Sequence, residues 1–375
     1  MWAVRKLRAE PGLDLVKVPV PEIADDEVLV RVEAASICGT DLHIFQWDPW
    51  AQRRIKPPLT LGHEFTGTVV ATGAFVRQTK VGDYVSAESH VTCGHCVNCR
   101  TGRAHMCEFT EILGVERDGA FAEYVAVPES VIWQNDRAKL PPEIATLQEP
   151  FGNAVFALSH ADLAGKSVVI SGCGPVGLFS VGIARASGAA RILASDARPF
   201  RLGLARTMGA DVTIDVTAVD DIVDAFVAEN EDEHPDVVFE MSGAAQAIGD
   251  AFRIVRNGGR VILFGIPAQP VEFDVAEALI FKNLTVSAVS GREVFATWYK
   301  TRWLLEHGVV DLRPLITEEL DLAQFERAFA LLESGEACKI VLHPNGAPHE
   351  AMVATPTGAA QANGHLPELG RWAHR

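Results

Sequence analysis

The chain has 375 residues, of which 48% are hydrophobic, and its formal net charge is −16. This length and composition predict a globular protein with two domains, because one hydrophobic core rarely extends over so many residues. The negative charge argues against nucleic acid as a partner, no apolar run is as long as a membrane span, and the N-terminus lacks the apolar block and cleavage site of a signal peptide.

Residues 1–35 are predicted to form short β-strands, because apolar and polar residues alternate there. A candidate metal site follows them. Cys38, His63 and Glu64 offer a thiolate, an imidazole and a carboxylate, the ligand types of a catalytic Zn²⁺ that keeps one position open. Taken singly, Cys38 would be a buried core thiol and His63 a core histidine with satisfied hydrogen bonds. Together, and with glycines beside them, they predict a metal site.

Thr40 and His43 are candidates for a proton path leading away from that metal. If a short helix begins near Gly39, these two residues are three positions apart and share one face. The alternatives are a helix-capping role for Thr40 and a surface position for His43, and the residues themselves do not decide between these interpretations. His90, further along, either faces the active cleft or caps a loop.

Four of the seven cysteines are clustered in the pattern Cys-x2-Cys-x2-Cys-x7-Cys, formed by Cys93, Cys96, Cys99 and Cys107. Four thiolates so close together can surround one tetrahedral Zn²⁺ with no open position, which predicts a structural zinc site. An iron–sulfur cluster and disulfides are the alternatives, and the short spacings favour a metal over disulfides. The clustering also indicates a reducing compartment.

Glu149 is a second carboxylate candidate for the catalytic metal. It lies in the segment 147–154, which is predicted to open a helix that continues to His160. Judged from the residues alone, the better interpretation is a charge near the N-terminus of this helix that interacts favourably with the helix dipole.

A dinucleotide-binding unit is predicted from residue 165 onward. The motif G-x-G-x-x-G consists of Gly172, Gly174 and Gly177. It follows a β-branched run, opens a helix-like stretch and precedes Asp196 by 19 residues, a context that makes it a strong signal for a pyrophosphate at a helix N-terminus. Asp196 would accept hydrogen bonds from the adenosine ribose and repel a 2′-phosphate, which favours NAD. Arg198 and Arg201 weaken this preference, because arginines here can serve NADP.

Strand and helix signals then alternate, which predicts a doubly wound parallel sheet. Its predicted strands are 166–172, 191–195, 211–215, 236–240, 260–264 and 284–288.

The last part of the chain is predicted to contain helices over 292–308 and 321–333 and a final strand over 339–342. Because that strand follows the dinucleotide unit, the chain is expected to return to the first domain. Residues 343–375 have no periodic pattern and are predicted to form a mobile tail.

Together these motifs resemble those of the zinc-dependent medium-chain alcohol dehydrogenases, and more closely the L-threonine dehydrogenase branch of that family. The metal and glycine motifs are shared across the family, whereas the neighbourhoods of Trp47, Gly152, Asn153 and 297–299 carry the narrower assignment. The resemblance extends from residue 1 to about residue 342. The matching segments are 37–43, 45–50, 92–96, 150–154, 240–243 and 291–299.

The resemblance implies an α/β fold with two domains. A GroES-like β-rich catalytic domain would comprise residues 1–150, completed by about 292–342, and a doubly wound Rossmann NAD-binding domain would comprise 151–291. Two zinc ions are implied per chain, a catalytic one held by Cys38, His63 and Glu64 and a structural one held by the four clustered cysteines.

The resemblance also implies oxidation of L-threonine at C3 to 2-amino-3-oxobutyrate, with NAD⁺ as hydride acceptor, in a cytoplasmic homotetramer. Thr40 and His43 would relay the proton. Glu149, at a position where close relatives have Asp, would be a catalytic residue that binds zinc directly or through water. His90 and Arg292 are candidates for substrate contacts. The implied NAD contacts, besides the three glycines, are Val176, Asp196, Arg201, Phe264, Gly265, Ile266, Val289 and Ser290.

Two other functions are compatible with parts of this pattern. A polyol or secondary-alcohol dehydrogenase would use the same zinc and NAD machinery with a different substrate pocket. A non-catalytic nucleotide-binding relative is the alternative from another class, and the presence of Cys38, His63 and Glu64 argues against it.

Overall fold

Antiparallel strands dominate the N-terminal part of the computed structural model, which describes residues 1–346 of the chain. These strands are β1 (Trp2–Lys6), β2 (Asp14–Lys17), β3 (Glu27–Ser36), β4 (Leu59–Thr60), β5 (Glu64–Thr72), β6 (Tyr84–Ala87), β7 (His90–Val91), β8 (Glu111–Ile112), β9 (Tyr124–Pro128) and β10 (Ile132–Gln134). Val28, Val30 and Val32 of β3 are fully buried, so one face of this strand enters the core as the alternating pattern predicts. The predicted tail, 343–375, lies outside the described residues apart from its first four positions.

Five helices accompany these strands, namely α1 (Gly39–Gln46), α2 (Pro49–Arg54), α3 (Val97–Arg100), α4 (Pro142–Ala145) and α5 (Gln148–Leu158). Helix α1 begins directly after Cys38, whose backbone N–H donates to the Asp41 carboxylate at 2.9 Å. It ends at Trp47, which adopts the left-handed conformation with φ 55°. The helix predicted from residue 147 to residue 160 is α5, which ends at Leu158.

A six-stranded parallel sheet follows, with the strand order β13-β12-β11-β14-β15-β16. Its elements are β11 (Ser167–Ser171), α6 (Pro175–Ala186), β12 (Arg191–Asp196), α7 (Pro199–Thr207), β13 (Val212–Asp215), α8 (Ile222–Glu229), β14 (Val237–Glu240), α9 (Ala245–Ile254), β15 (Arg260–Leu263) and β16 (Thr285–Ala288). Val168 and Ile170 of β11 pack into one apolar core and Val169 into another, so both faces of the sheet are covered. The prediction of a doubly wound sheet is confirmed.

The described part of the chain ends in the sheet that contains β3, β5 and β6. The last elements are α10 (Ala296–Glu306), β17 (Ile316–Asp321), α11 (Phe325–Ser334) and β18 (Lys339–His343). Strand β18 pairs antiparallel with β3, joining Val341 to Ser36 and Leu342 to Ala35. The strand order of this sheet is therefore β10-β6-β5-β3-β18-β17. Lys339, the first residue of β18, lies beside the residues that follow β3. Among residues 1–346, no helix is both long and apolar enough to cross a membrane.

Candidate metal and cofactor sites

Strand pairing brings the three candidate catalytic ligands together. Ser36 at the end of β3 is the register partner of Glu64 at the start of β5, so Cys38 lies beside His63 and Glu64. One ligand atom from each of these three residues lies within 4.8 Å of the other two. Asp41, which is fully buried, joins the two loops because it also accepts the Gly62 N–H at 3.3 Å.

The hydrogen bonds of Glu64 leave one of its oxygens free for a metal. Oε2 accepts a hydrogen bond from Lys339 Nζ at 2.5 Å and another from the Ser36 hydroxyl. Oε1 is buried and has no hydrogen-bond partner among the described residues. A buried acceptor without a partner is costly, and a cation held by this group of residues would remove that cost. The residues present therefore fit a metal ion.

The charge around His63 also favours a cation. Burial by itself would lower the pKa of His63, but the negative charges of Cys38 and Asp41 outweigh it and raise that pKa well above its usual range. A proton and a metal ion therefore compete for this imidazole. The surroundings stabilise whichever positive charge occupies the site.

The two candidate relay residues both lie on α1 and differ in their surroundings. The Thr40 hydroxyl is 3.8 Å from the Cys38 sulfur, so it lies next to the three-ligand group. The His43 ring is exposed, and its Nδ1 is 2.7 Å from Asp48 Oδ2. Sequence reasoning missed Asp48. An Asp before Pro49 is a recognisable helix-cap signal, but its contact with His43 depends on the left-handed turn at Trp47.

Glu149 belongs to a buried ionic network around Arg292. Its Oε1 is 2.7 Å from Arg292 Nη2 and accepts the Ser89 hydroxyl at 2.6 Å. The same guanidinium donates to Glu88, with Arg292 Nε 2.7 Å from Glu88 Oε2. Burial would raise the pKa of Glu88, but Arg292 holds it well below its usual range. The group of three ligand atoms described above does not include Glu149.

The two predicted substrate residues lie in or beside this network. Arg292 is buried, and its guanidinium also donates to Asn153 Oδ1 at 3.1 Å. His90 is half-buried, with Nδ1 3.0 Å from Glu88 Oε1. Their roles in substrate binding stay predictions. Sequence reasoning missed Glu88, because its partners Arg292 and Trp298 lie more than 200 residues away and share no local pattern with it.

The four clustered cysteines converge in the loop between β7 and β8. Their sulfur atoms all lie within 4.8 Å of one another, and none of the four forms a disulfide. Burial would raise the pKa of Cys107, but the backbone N–H groups of Cys93 and Phe109 lower it to about 6, which favours the thiolate. This donor set fits a tetrahedral metal site without an open position.

The glycine motif forms a cradle at the end of β11. Gly172 has a φ of 97°, which a side chain would rarely tolerate, and a Cβ on Gly177 would lie 1.9 Å from the Gly172 oxygen. Gly174 caps α6 and has open space where its Cβ would be. Asp196, at the end of β12, accepts the Cys173 N–H at 2.8 Å. The loop fits a pyrophosphate approaching the N-terminus of α6.

The other predicted NAD contacts lie along the same edge of the sheet. Val176 lies in the first turn of α6, and Arg201 Nη1 is 3.8 Å from Asp196 Oδ2. Residues 264–266 follow β15, and 289–290 follow β16. Carboxyl ends of parallel strands are where such sheets bind nucleotides. Arg292 follows two residues after Ser290, so its network connects this edge to Glu149.

The known proteins and family models that this chain resembles are dehydrogenases. The family model "Alcohol dehydrogenase GroES-like domain" matches residues 24–137, and "Zinc-binding dehydrogenase" matches 175–306. An L-threonine 3-dehydrogenase of Symbiobacterium thermophilum is 49% identical over 346 residues, which is 92% of this chain and 98% of that protein. Alcohol dehydrogenase TADH from Thermus sp. ATN1 has a TM-score of 0.83 at 32% identity, covering 92% of this chain and 99% of its own. A zinc-binding dehydrogenase of Sinorhizobium meliloti 1021 bound to NADP has a TM-score of 0.83 at 29% identity, with the same coverage.

Proposed function

The chain belongs to the zinc-dependent medium-chain dehydrogenase family, and we propose that it oxidises L-threonine at C3 with NAD⁺ to give 2-amino-3-oxobutyrate, NADH and a proton. The observation that carries this proposal is the group Cys38, His63 and Glu64 in a chain that is 49% identical to an L-threonine 3-dehydrogenase over nearly its whole length. A non-catalytic nucleotide-binding protein would have no use for this group.

The residues around the reacting hydroxyl have distinct tasks. Cys38, His63 and Glu64 would hold a Zn²⁺ ion, which when bound acts as a Lewis acid and makes a neighbouring hydroxyl more acidic. Thr40, beside Cys38, would receive the hydroxyl proton, and the exposed His43 would deliver it to solvent. Lys339 and Ser36 would keep Glu64 Oε2 occupied, so that Oε1 stays available.

The cofactor would be NAD⁺, which accepts the hydride. Gly172, Gly174 and Gly177 would admit its pyrophosphate. Both oxygens of Asp196 accept backbone N–H groups, from Cys173 at 2.8 Å and from Arg198 at 2.9 Å, so its negative charge is fixed at the end of β12. This charge would repel a 2′-phosphate, although one structural relative binds NADP. We expect kcat/KM to favour NAD⁺ over NADP⁺ by at least about tenfold.

Two zinc ions per chain complete the proposal. The four-cysteine loop would hold the second ion, and its role would be structural because four thiolates leave no position for a substrate. Metal analysis of the purified protein should give two zinc ions per chain and no iron. Cys38→Ser should remove the catalytic ion, retain the structural ion and abolish most of the activity.

The proposed assembly is a cytoplasmic homotetramer. Within the described part of the chain, β16 pairs with β15 on one side and leaves its other edge open, with Val286 37% exposed. Ile280 and Phe281, just before this strand, are 65% and 71% exposed. An open strand edge beside exposed apolar residues favours pairing with another chain, and a second copy would cover it.

The experiment that tests the function measures NADH formation with L-threonine, L-allo-threonine, L-serine, sorbitol and 2,3-butanediol. Preference for L-threonine supports the proposal. Preference for a polyol or diol would replace the substrate but keep the zinc chemistry. One observation favours this second candidate: Arg292 is buried and already paired with two glutamates, so it is not free to bind the carboxylate of an amino acid. No activity of zinc-loaded protein with any alcohol would overturn the proposal.

A further inference from the structure

Asp48 connects helix α2 to the candidate relay residue His43. Its Oδ1 accepts the backbone N–H groups of Trp50 and Ala51, each at 2.9 Å, and so caps α2. Its Oδ2 lies 2.7 Å from Nδ1 of His43. One carboxylate therefore has two tasks, each assigned to a different oxygen.

The turn that carries Asp48 is held from several sides. Trp47 adopts the left-handed conformation, which a bulky residue keeps only when its surroundings hold it there. The Trp47 carbonyl accepts Gln52 Nε2 at 2.8 Å, and the Lys6 ammonium lies 4.8 Å from the centre of the Trp47 ring. The Asp48 carboxylate is thus positioned before any substrate binds.

The contact determines which nitrogen of His43 carries the proton. Burial opposes the charge on Asp48, but the hydrogen bonds from Ala51 and His43 outweigh it and lower the pKa of Asp48. An ionised carboxylate only accepts hydrogen bonds, so the proton between Asp48 and His43 belongs to His43 Nδ1. In the neutral ring, Nε2 is then left with a free lone pair.

We propose that Asp48 is a positioning residue that keeps neutral His43 in the Nδ1-protonated tautomer, so that Nε2 accepts the proton released by the substrate. This step rests on the proposed function. The proton from the substrate hydroxyl reaches Nε2 through Thr40, Nδ1–H continues to donate to Asp48, and Nε2 then releases the proton to water. The hydride leaves separately to NAD⁺, so charge and atoms balance.

Two substitutions of Asp48 separate capping from tautomer selection. In Asp48→Asn, Oδ1 still accepts from Trp50 and Ala51, and the amide NH₂ then points toward His43 Nδ1 and favours the wrong tautomer. A flipped amide would restore the His43 contact but would set its NH₂ against two backbone N–H donors. In Asp48→Ser, the hydroxyl still caps α2 but is too short to select either tautomer of His43.

The expected order of activity is the reverse of the order that a purely structural role would give. We expect kcat to fall about 100-fold in Asp48→Asn, which favours the wrong tautomer, and about 10-fold in Asp48→Ser, which selects neither tautomer. A positioned general base contributes a factor of about 10² or more to the rate, and water can partly replace the exposed His43. KM for both substrates should change less than about threefold. If Asp48 only supported the turn, the isosteric Asn would be the milder change.

A second measurement reads the tautomer directly. Nitrogen NMR of ¹⁵N-histidine-labelled, zinc-loaded enzyme, with the His43 signals assigned by their loss in His43→Asn, should show a protonated Nδ1 in the wild type and a protonated Nε2 in Asp48→Asn. Asp221→Asn is the matched control, since Asp221 Oδ1 also caps a helix, α8, by accepting the Val223 N–H at 2.7 Å, and it should leave both kcat and the His43 signals unchanged.

The outcomes distinguish this proposal from the proposed function. A protonated Nε2 in the wild type, no tautomer change in Asp48→Asn, or a kcat for Asp48→Asn at or above that of Asp48→Ser would each overturn it. If another alcohol proves to be the substrate, the order of kcat is measured with that alcohol. If no alcohol is oxidised, the proposed function fails, while the NMR signals still decide the tautomer.

Discussion

Lys339 has a buried ammonium group that forms an ion pair with Glu64. It is 1% exposed, and besides Glu64 it donates to the Ile37 carbonyl at 2.9 Å. Buried ion pairs add little net stability, but removing one partner leaves a buried charge uncompensated. Lys339 is therefore most important when the metal site is empty, because Glu64 then has no other ion pair among the described residues.

Lys339→Met should destabilise the metal-free protein more than the zinc-loaded protein. We expect the free energy of unfolding to fall by about 3–5 kcal/mol without zinc, and by less with zinc, because the metal ion would offset the charge of Glu64. Calorimetry with and without a chelator measures both losses. Lys80→Met, at an exposed lysine, should change stability by less than about 0.5 kcal/mol. Equal losses in the two metal states would contradict the prediction.

His343 provides a pH-dependent contact between β18 and the neighbouring strands. Its Nε2 is 2.8 Å from Glu319 Oε2, and its Nδ1 is 3.1 Å from the Glu33 carbonyl oxygen. Burial would lower the pKa of His343, but the hydrogen bonds to Glu319 and Glu33 outweigh it and raise that pKa. The protonated ring therefore stabilises the fold below its unfolded-state pKa of about 6.5, and this contribution is lost as the pH rises through the higher folded-state pKa.

The stability difference between the wild type and His343→Gln should accordingly decrease as the pH rises from about 6 to about 9. At the acid end we expect a difference of about 1–2 kcal/mol, because Glu319 is half exposed and solvent weakens the pair. Urea unfolding across this range measures the difference. His307→Gln, at an exposed histidine, is the control. A difference that grows with pH would show that the sign is wrong.

At the scale of elements, the loop between β11 and α6 combines two kinds of glycine. Gly177 allows α6 to approach the loop, since an added Cβ would lie 1.9 Å from a backbone oxygen. Gly174 meets no heavy atom within 4 Å of its Cβ position, and its φ of −66° suits any residue. Protein packing therefore explains Gly177, whereas the open space at Gly174 is where we propose that the pyrophosphate of the cofactor binds.

Gly174→Ala should weaken NAD⁺ binding without destabilising the protein. We expect the Kd for NAD⁺ to rise at least about tenfold, because the added methyl group occupies space needed by the pyrophosphate, while Tm stays unchanged. Gly177→Ala should lower both NAD⁺ affinity and stability, the latter by about 1–3 kcal/mol from overpacking. Calorimetric titration and thermal unfolding measure the two effects. Unchanged NAD⁺ affinity in Gly174→Ala would contradict this account of the loop.

At the scale of the whole molecule, the open edge of β16 predicts how the chain assembles. Val286→Asp should convert the proposed tetramer into smaller species, because a buried, unpaired carboxylate is costly at an apolar interface. Light scattering during size-exclusion chromatography measures the mass. Val81→Asp, at a valine that is 63% exposed in a loop, should leave the mass unchanged. An unaltered mass for Val286→Asp would show that the interface lies elsewhere.

The sequence by itself determined the features that depend on neighbouring residues. The valine alternation predicted the buried face of β3, and the glycine spacing after a β-branched run predicted the β11–α6 loop. Each predicted strand of the parallel sheet begins within one residue of its observed position. The four clustered cysteines and the adjacent His63 and Glu64 were also recognisable from their spacing as candidate metal ligands, whereas Cys38 joins His63 and Glu64 through the pairing of β3 with β5.

Only the tertiary structure decided which distant residues surround those ligands. The contacts of Lys339 with Glu64 and of Arg292 with Glu88 and Glu149 join segments far apart in the chain. They arise because β18 pairs with β3 and because the segment after β16 packs against α5. Asp48 is intermediate: its cap of α2 is a local signal, but its contact with His43 required the left-handed turn at Trp47. Pairing and packing of this kind depend on the sum of many contacts, which no local pattern records.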